Sequence, residues 1–221
     1  MAEQIGLTLP VQSSDGIDEF YVSKCNTIAV SLLEDWENWP NLKHTLSGPP
    51  ASGKTHLGQI WAEQVNASYI DATTLEISNV DKIANSALVI DNVSKINSRK
   101  DLEESLFHLH NLLLERQLPF LLIGTGFPQF WKISLSDLMS RIEGTRNAQI
   151  YELDDKLLPL IMAKLFADRQ MYPSPDVFEY LNKRIDRTFS SVNSIVADID
   201  RISIEEKRPI TRSLVAKIFK N

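Results

Sequence analysis

Apolar positions follow two different rhythms along the 221 residues. From about residue 17 to 152, short apolar runs alternate with segments of helical periodicity. The runs Lys43–Ser47, Ala67–Asp71, Ala87–Asp91, Phe120–Thr125 and Ala148–Leu153 have strand length. Between them, His56–Val65 puts Leu57, Ile60, Trp61 and Val65 on one helical face. Asp101–Arg116 does the same with Leu102, Leu106, Leu109 and Leu113. Alternation of this kind predicts an α/β core, a parallel sheet covered by helices. Beyond it strand-like runs give way to helical ones near 154–170, 174–186, 188–205 and 210–220. Pro173 and Pro175 part the first two, and Pro209 the last two. The expected organisation is a polar tail over 1–16, an α/β domain over 17–152 and a small all-helical domain over 153–221.

Composition narrows the class. A hydrophobic fraction of 43% is that of a packed protein and excludes wholesale disorder. The strongest apolar run, Leu118–Gly124, falls far short of the roughly 18 residues that span a bilayer. The opening Met1-Ala2-Glu3-Gln4 lacks the basic and apolar regions of a secretory signal, and the lone Cys25 forms no internal disulfide. Together these features predict a cytoplasmic protein without a membrane partner. The net charge of -6 and pI near 5.3 argue against strong direct binding to duplex DNA. The acidity is uneven: residues 1–150 carry 11 basic and 18 acidic side chains, residues 151–221 carry 12 and 11. Any anion-binding surface is therefore local.

One such surface is written in the sequence. Gly48-Pro49-Pro50-Ala51-Ser52-Gly53-Lys54-Thr55 fits G-x-x-x-x-G-K-[ST] at every fixed position, after a strand and before a helix that continues with His56. Backbone N–H groups of such a loop curl round phosphate oxygens, and the helix N-terminus adds partial positive charge. Lys54 would neutralise β/γ oxygens and Thr55 would offer its hydroxyl to Mg²⁺. Asp91, closing the apolar run Ala87–Ile90, is the acid expected at the metal; the plainer reading is a strand cap. Asn92 stands where many such ATPases carry a second acid that activates water. An amide orients water but does not accept its proton, so binding follows from the residues more securely than turnover.

With these residues in place, the sequence resembles the AAA+ ATPases of the DnaA family, and within it the shorter Hda-type regulators. Phe20-Tyr21-Val22-Ser23-Lys24-Cys25-Asn26 is similar to the family's F-V-x-G-x-x-N stretch, with Ser23 in place of glycine. The resemblance implies that Tyr21, Val22 and Asn26 lie against adenine. Phe107, His108 and Asn111 are similar to the helix after the family's Asp strand. Asp137-Leu138-Met139-Ser140-Arg141 resembles the L-x-S-R element, whose arginine reaches a neighbouring subunit's nucleotide; the plainer reading is an exposed helix arginine. The run from Pro175 through Ile204 to Lys217 looks like the family's helical lid. DnaA proteins continue past the lid into a DNA-binding helix-turn-helix, whereas this sequence ends at Asn221, as Hda-type regulators do. Those regulators begin with a peptide close to Q-L-x-L-x-L that binds the replicative sliding clamp. Gln4-Ile5-Gly6-Leu7-Thr8-Leu9 matches at Gln4, Leu7 and Leu9, with Ile5 conservative. Such a tail would put its leucines in an apolar pocket; alternatively it packs against an edge of its own domain.

Two departures bear on chemistry. Ser190 falls where the family's lid carries a nucleotide-sensing arginine, and Arg187 is either its substitute or a solvated lid residue. Gly124-Thr125-Gly126-Phe127 stands at the end of the fourth strand where the family has a polar or acidic residue followed by a basic one, with Thr125 left as a hydrogen-bond donor. With Asn92, these changes imply weak hydrolysis by this subunit and a nucleotide, ADP or ATP with Mg²⁺, held between core and lid. The resemblance implies an adaptor that restrains replication initiation. It would bind the sliding clamp, the β subunit of DNA polymerase III, at the replisome, and promote hydrolysis of DnaA-bound ATP through Arg141 acting in trans. The same surface would permit a homo-oligomer. A self-contained ATPase of the helicase-loader kind is the alternative. His108 and His110, two apart on a helix, do not share a metal, and Trp36, Trp39, Trp61 and Trp131 read as packing residues.

Overall fold

Five strands, β1 (Lys43–Gly48), β2 (Ser68–Asp71), β3 (Leu88–Asp91), β4 (Phe120–Thr125) and β5 (Asn147–Gln149), pair in parallel in the order β2-β3-β4-β1-β5. They belong to a computed structural model that describes Phe20 and residues 22–219. Central strands β3 and β4 are apolar up to their last residues, since helices cover both faces: Leu88, Val89, Ile90 and Phe120–Ile123 are all fully buried. Alternation then assigns the faces. Val89, Leu121 and Ile123 meet α1 (Thr27–Glu34) and α2 (Lys54–Gln64) through Ala29, Leu33, Leu57 and Trp61. Leu88, Ile90, Phe120 and Leu122 meet α4 (Lys100–Glu115) and α5 (Ser136–Glu143) through Leu102, Leu106, Leu109 and Leu138. The short α3 (Val80–Ile83) adds Val80 to that second face. Trp39, Trp61 and Trp131 are buried, the first two stacked with ring centroids 5.0 Å apart.

β1 is unusual in burying polar side chains, and two of them, Thr45 and Ser47, bond the next strand. Thr45 Oγ1 donates to Asn147 Oδ1 at 2.9 Å, and Ser47 Oγ to Gln149 Oε1 at 2.5 Å. These pairs sit in register across β1 and β5. They also show why the last strand is Asn147–Gln149 rather than the expected Ala148–Leu153. Ile150 N still donates to Ser47 O, but Tyr151 N then turns to Cys25 O and Leu153 N to Arg187 O. The apolar run past Gln149 leaves the sheet to join the N-terminal segment and the C-terminal helices. The other strand expectations hold to within a residue, and α2 starts two residues early because the phosphate loop turns straight into it.

Four helices follow: α6 (Leu157–Asp168), α7 (Pro175–Asn182), α8 (Phe189–Glu206) and α9 (Arg212–Ile218). They enclose their own apolar cluster, including Leu158, Met162, Phe166, Val177, Val196, Ile199 and Val215, with Cys25 at its margin. Capping sets their starts. Asp154 accepts from Leu157 N at 2.7 Å, which delays α6 relative to the expected 154; Thr188 Oγ1 accepts from Ser191 N at 3.1 Å and Thr211 Oγ1 from Leu214 N. Among the described residues no helix is long and apolar enough to cross a membrane.

The two helices over the second sheet face are fastened by one buried acid. Glu103, 1% exposed, accepts from Ser98 N, Ser134 N, Ser134 Oγ and Leu135 N. Burial opposes its charge, but the bonds from Ser134, Leu135 and Ser98 prevail and hold the carboxyl below its ordinary 4.5. Such a group contributes stability above its unfolded pKa and loses it as pH falls through the folded value. Glu103→Gln is therefore expected to cost about 2–3 kcal/mol in urea unfolding at pH 7. The gap from wild type should shrink as pH falls below 4.5. Equal stability of the two proteins at neutral pH would refute this role.

Candidate nucleotide site

Parallel pairing brings the ends of β1, β3 and β4 to one edge of the sheet, with Gly48 opposite Thr125. A Cβ on Gly48 would lie 2.5 Å from Ile150 O and 2.9 Å from Ser52 Oγ, so only glycine passes there. Pro49 and Pro50 carry the chain outward, Ala51 turns it at φ 53°, and Gly53 returns it at φ 91° into α2. The helix starts at Lys54 without a side-chain cap, leaving its first N–H groups to the loop. Lys54 is buried within that loop: Nζ donates to Pro49 O at 2.5 Å, Gly48 O at 3.0 Å and Ser52 Oγ at 3.4 Å. Burial pushes its pKa down, while the Asp91 carboxylate works the other way.

Asp91 is the second node. Its Oδ2 accepts from Thr55 Oγ1 at 2.8 Å and from Tyr69 OH at 2.7 Å, and its Oδ1 from Asn92 N at 2.6 Å. Burial and the adjacent carboxylate push the Tyr69 phenol far above its ordinary value, so it stays a donor. Asn92, at φ 60°, turns its amide away: Nδ2 donates to Asp71 Oδ2 at 2.6 Å. Asp71 and Asp91 are register partners on adjacent strands. Partial burial works against the Asp71 charge, but bonds from Thr73 and then Asn92 keep the carboxyl below its usual range. An acid at position 92 would face this carboxylate, so an amide is the residue that fits. Neither Tyr69 nor Asp71 was singled out from sequence, because their part depends on the register of β2 against β3.

The remaining expected residues divide. A cleft opens beside the loop, walled by Phe20, Asn26, Ser52, Gly53 and His56 on one side. Leu153, Leu157, Ile161, Lys164 and Phe189 form the other wall, with Cys25 between. Asn26 is buried and its Oδ1 accepts from Ser23 N at 2.8 Å. Val22 is exposed and does not line the cleft, and Tyr21, like the tail residues Gln4, Ile5, Leu7 and Leu9, lies outside the described residues. Thr125 caps β4 in the open, its N–H donating to Ser94 Oγ at 3.0 Å. Arg187 points elsewhere: its guanidinium pairs with Asp155 at 2.6 Å and does not line the cleft. The bundle instead touches the loop through backbone, Phe189 N donating to Ala51 O at 3.1 Å. Leu153, Lys164 and Phe189 were not expected at the site; no local motif marks them.

Arg141 is remote from this constellation. Its carbonyl accepts from Lys43 Nζ at 3.3 Å, at the start of β1, and Gly48 ends that strand of six residues. At about 3.3 Å per residue the two ends are about 16 Å apart. The guanidinium lies over the Phe107 ring, 5.1 Å from its centroid, and among the described residues no carboxylate pairs with it.

No protein-family model matches the chain. Solved structures do share its architecture. Domain III of the Thermotoga maritima replication initiation protein DnaA superposes with a TM-score of 0.76 at 16% identity, over 91% of this chain and 93% of that one. The chain therefore has the fold of these structures, a parallel α/β core followed by helices. A replication initiator DnaA bound to AMPPCP and single-stranded DNA matches with a TM-score of 0.70 at 20% identity, over 85% of this chain and 66% of that one. The Thermotoga maritima RuvB Holliday junction branch migration motor gives 0.67 at 22% identity, over 88% and 66%. The chain thus spans just under two thirds of the length of the initiator it matches. The parallel sheet forms the α/β core of that fold, and α6–α9 form its helical C-terminal part.

The residues of the loop and of the strand ends fit a nucleoside di- or triphosphate. The first N–H groups of α2, which have no side-chain cap, are there for phosphate oxygens, Lys54 supplies charge, and the Thr55 hydroxyl and Asp91 carboxylate offer Mg²⁺ the oxygen ligands it prefers. Removing Lys54 deletes charge-assisted bonds worth roughly 1.5–3 kcal/mol, so Lys54→Ala should weaken ADP binding about ten- to hundredfold in calorimetry. Asp91→Asn should spare metal-free binding and abolish the gain on adding Mg²⁺. Undiminished affinity in Lys54→Ala would exclude the loop as the binding site.

Proposed function

We propose that this chain is a nucleotide-holding AAA+ adaptor acting in replication initiation, which lends Arg141 to ATP bound by a partner DnaA. The observation that carries this reading is the place of Arg141. It is bonded to the residue that opens β1, a strand about 16 Å long whose other end leads into the phosphate loop, and no described carboxylate pairs with it. An arginine so placed serves no phosphate of its own chain and is available to another's. Supplied across an interface, it stabilises charge developing on the transferring phosphoryl group, an effect of about a thousandfold or more.

The nucleotide of this chain then has a structural part. Lys54 and the first turn of α2 would hold its phosphates, Thr55 and Asp91 its Mg²⁺, and the cleft beneath Leu157, Ile161 and Phe189 its base. When bound, the nucleotide supplies negative charge that the buried Lys54 lacks. Asn92, engaged with Asp71 and unable to accept a proton, supports slow turnover here. DnaA is the favoured partner because solved DnaA structures share this fold and the L-x-S-R element is present. The tail Gln4-Ile5-Gly6-Leu7-Thr8-Leu9 supports tethering to the sliding clamp, which would confine the protein to the replisome. A second copy of the chain would meet the same Arg141 surface.

The test is phosphate release by ATP-loaded DnaA with this protein and clamp on DNA. Arg141→Ala is expected to leave its own ADP affinity within about twofold and to lower stimulation at least tenfold. Stimulation unchanged by Arg141→Ala would remove the trans role. Replacing Gln4 and Leu7 with alanine should abolish clamp capture; retained capture would discard the tail as tether. Vigorous ATP turnover by the isolated protein, indifferent to clamp and DnaA, would assign it to the helicase-loader kind instead.

A further inference from the structure

Lys43 is 9% exposed, and among the described residues no carboxylate lies within ion-pair distance of it. A buried ammonium costs several kcal/mol unless something replaces its water. Two acceptors do so. One is Arg141 O at 3.3 Å, a carbonyl in the last turn of α5, where the helix end carries partial negative charge. The other is His110 Nε2 at 3.5 Å. His110 is fully buried and packed edge-on against Phe120. Burial first, then the cations of Lys43 and Arg141, push its pKa down to about 3, so the imidazole stays neutral and keeps a lone pair for the ammonium.

Phe107 lies three residues before His110 on α4, hence on the same side of the helix. Its ring receives the Arg141 guanidinium at 5.1 Å. One helix face therefore holds both cations, Phe107 taking the side chain of Arg141 and His110 the ammonium that bonds Arg141's own carbonyl. Thr145 Oγ1 bonds the same carbonyl at 2.7 Å. The backbone of Arg141 is thus pinned to the first residue of β1 and its guanidinium to α4. Nothing in packing requires a lysine here, since an apolar side chain would fill the space without the cost of a buried charge.

We propose that Lys43 is a positioning residue for Arg141, and that with Phe107 and His110 it forms a rigid mount presenting the guanidinium to a nucleotide phosphate on a second molecule. The inference rests on the reading of Arg141 as an arginine lent in trans. The mount removes backbone and side-chain freedom that Arg141 would otherwise lose at each encounter. Its effect belongs to the turnover step, not to association or to this chain's own nucleotide.

The test uses the full chain with ATP-loaded DnaA, titrating the chain and measuring phosphate release. Lys43→Met keeps the apolar stem and removes the charge and both hydrogen bonds. It is expected to lower the maximal rate about ten- to hundredfold. The half-saturating concentration, ADP affinity and melting temperature should remain near wild type. Full stimulation by Lys43→Met, beside a lost response in Arg141→Ala, would overturn the mount and leave the trans role standing. No loss in Arg141→Ala itself would overturn the underlying reading. Should Lys43→Met melt early, Phe107→Leu decides: a comparable fall in maximal rate at wild-type melting temperature supports the mount, and full stimulation refutes it.

Discussion

Parallel pairing of β1 with β4 and of β4 with β3 is the constraint on which the site depends. It forces Gly48, Asp91 and Thr125 to one edge, although they are far apart in sequence. Ligands in open α/β sheets gather at the carboxyl ends of strands, where loops are free to vary and helix N-termini converge. Here the pairing is secured by apolar residues in β3 and β4 with no exposed surface, and by the Thr45–Asn147 and Ser47–Gln149 bonds that hold β5 to β1. The same pairing sends Lys43 to the other edge. One six-residue strand therefore separates a phosphate-receiving end from a cation-presenting end.

Buried charge is handled differently at each place. Glu103 is satisfied wholly by donors from backbone and a serine, and serves cohesion. Lys54 is satisfied by carbonyls of a loop suited to phosphate, which makes its neutralisation conditional. Asp91 accepts from three neutral donors, the hydroxyls of Thr55 and Tyr69 and the Asn92 N–H, which aims its carboxyl at the start of α2. The net charge of -6 hides all of this, because each device is local and only a few ångströms wide.

Much of this was legible in the sequence because it is local. The phosphate loop declares itself by fixed residues, and the strands β1 to β4 by apolar runs between helical periods. What escaped notice depends on who sits beside whom. Tyr69 and Asp71 acquire meaning only when β2 registers against β3; Lys43 and His110, 67 positions apart, meet only when α4 folds over β1. The error over the last strand has the same root, since Tyr151 and Leu153 are extended but bond Cys25 and Arg187 outside the sheet. Arg187 is drawn to Asp155, a surface pairing that no motif foretells.

The bond from Phe189 N to Ala51 O joins the phosphate loop to the first residue of α8, a helix of 18 residues. At 1.5 Å per residue that helix is about 27 Å long. Because Val192, Ile195, Val196 and Ile199 of that helix are buried in the C-terminal cluster, the single bond ties the loop to the core of the helical part and not to a loose surface segment.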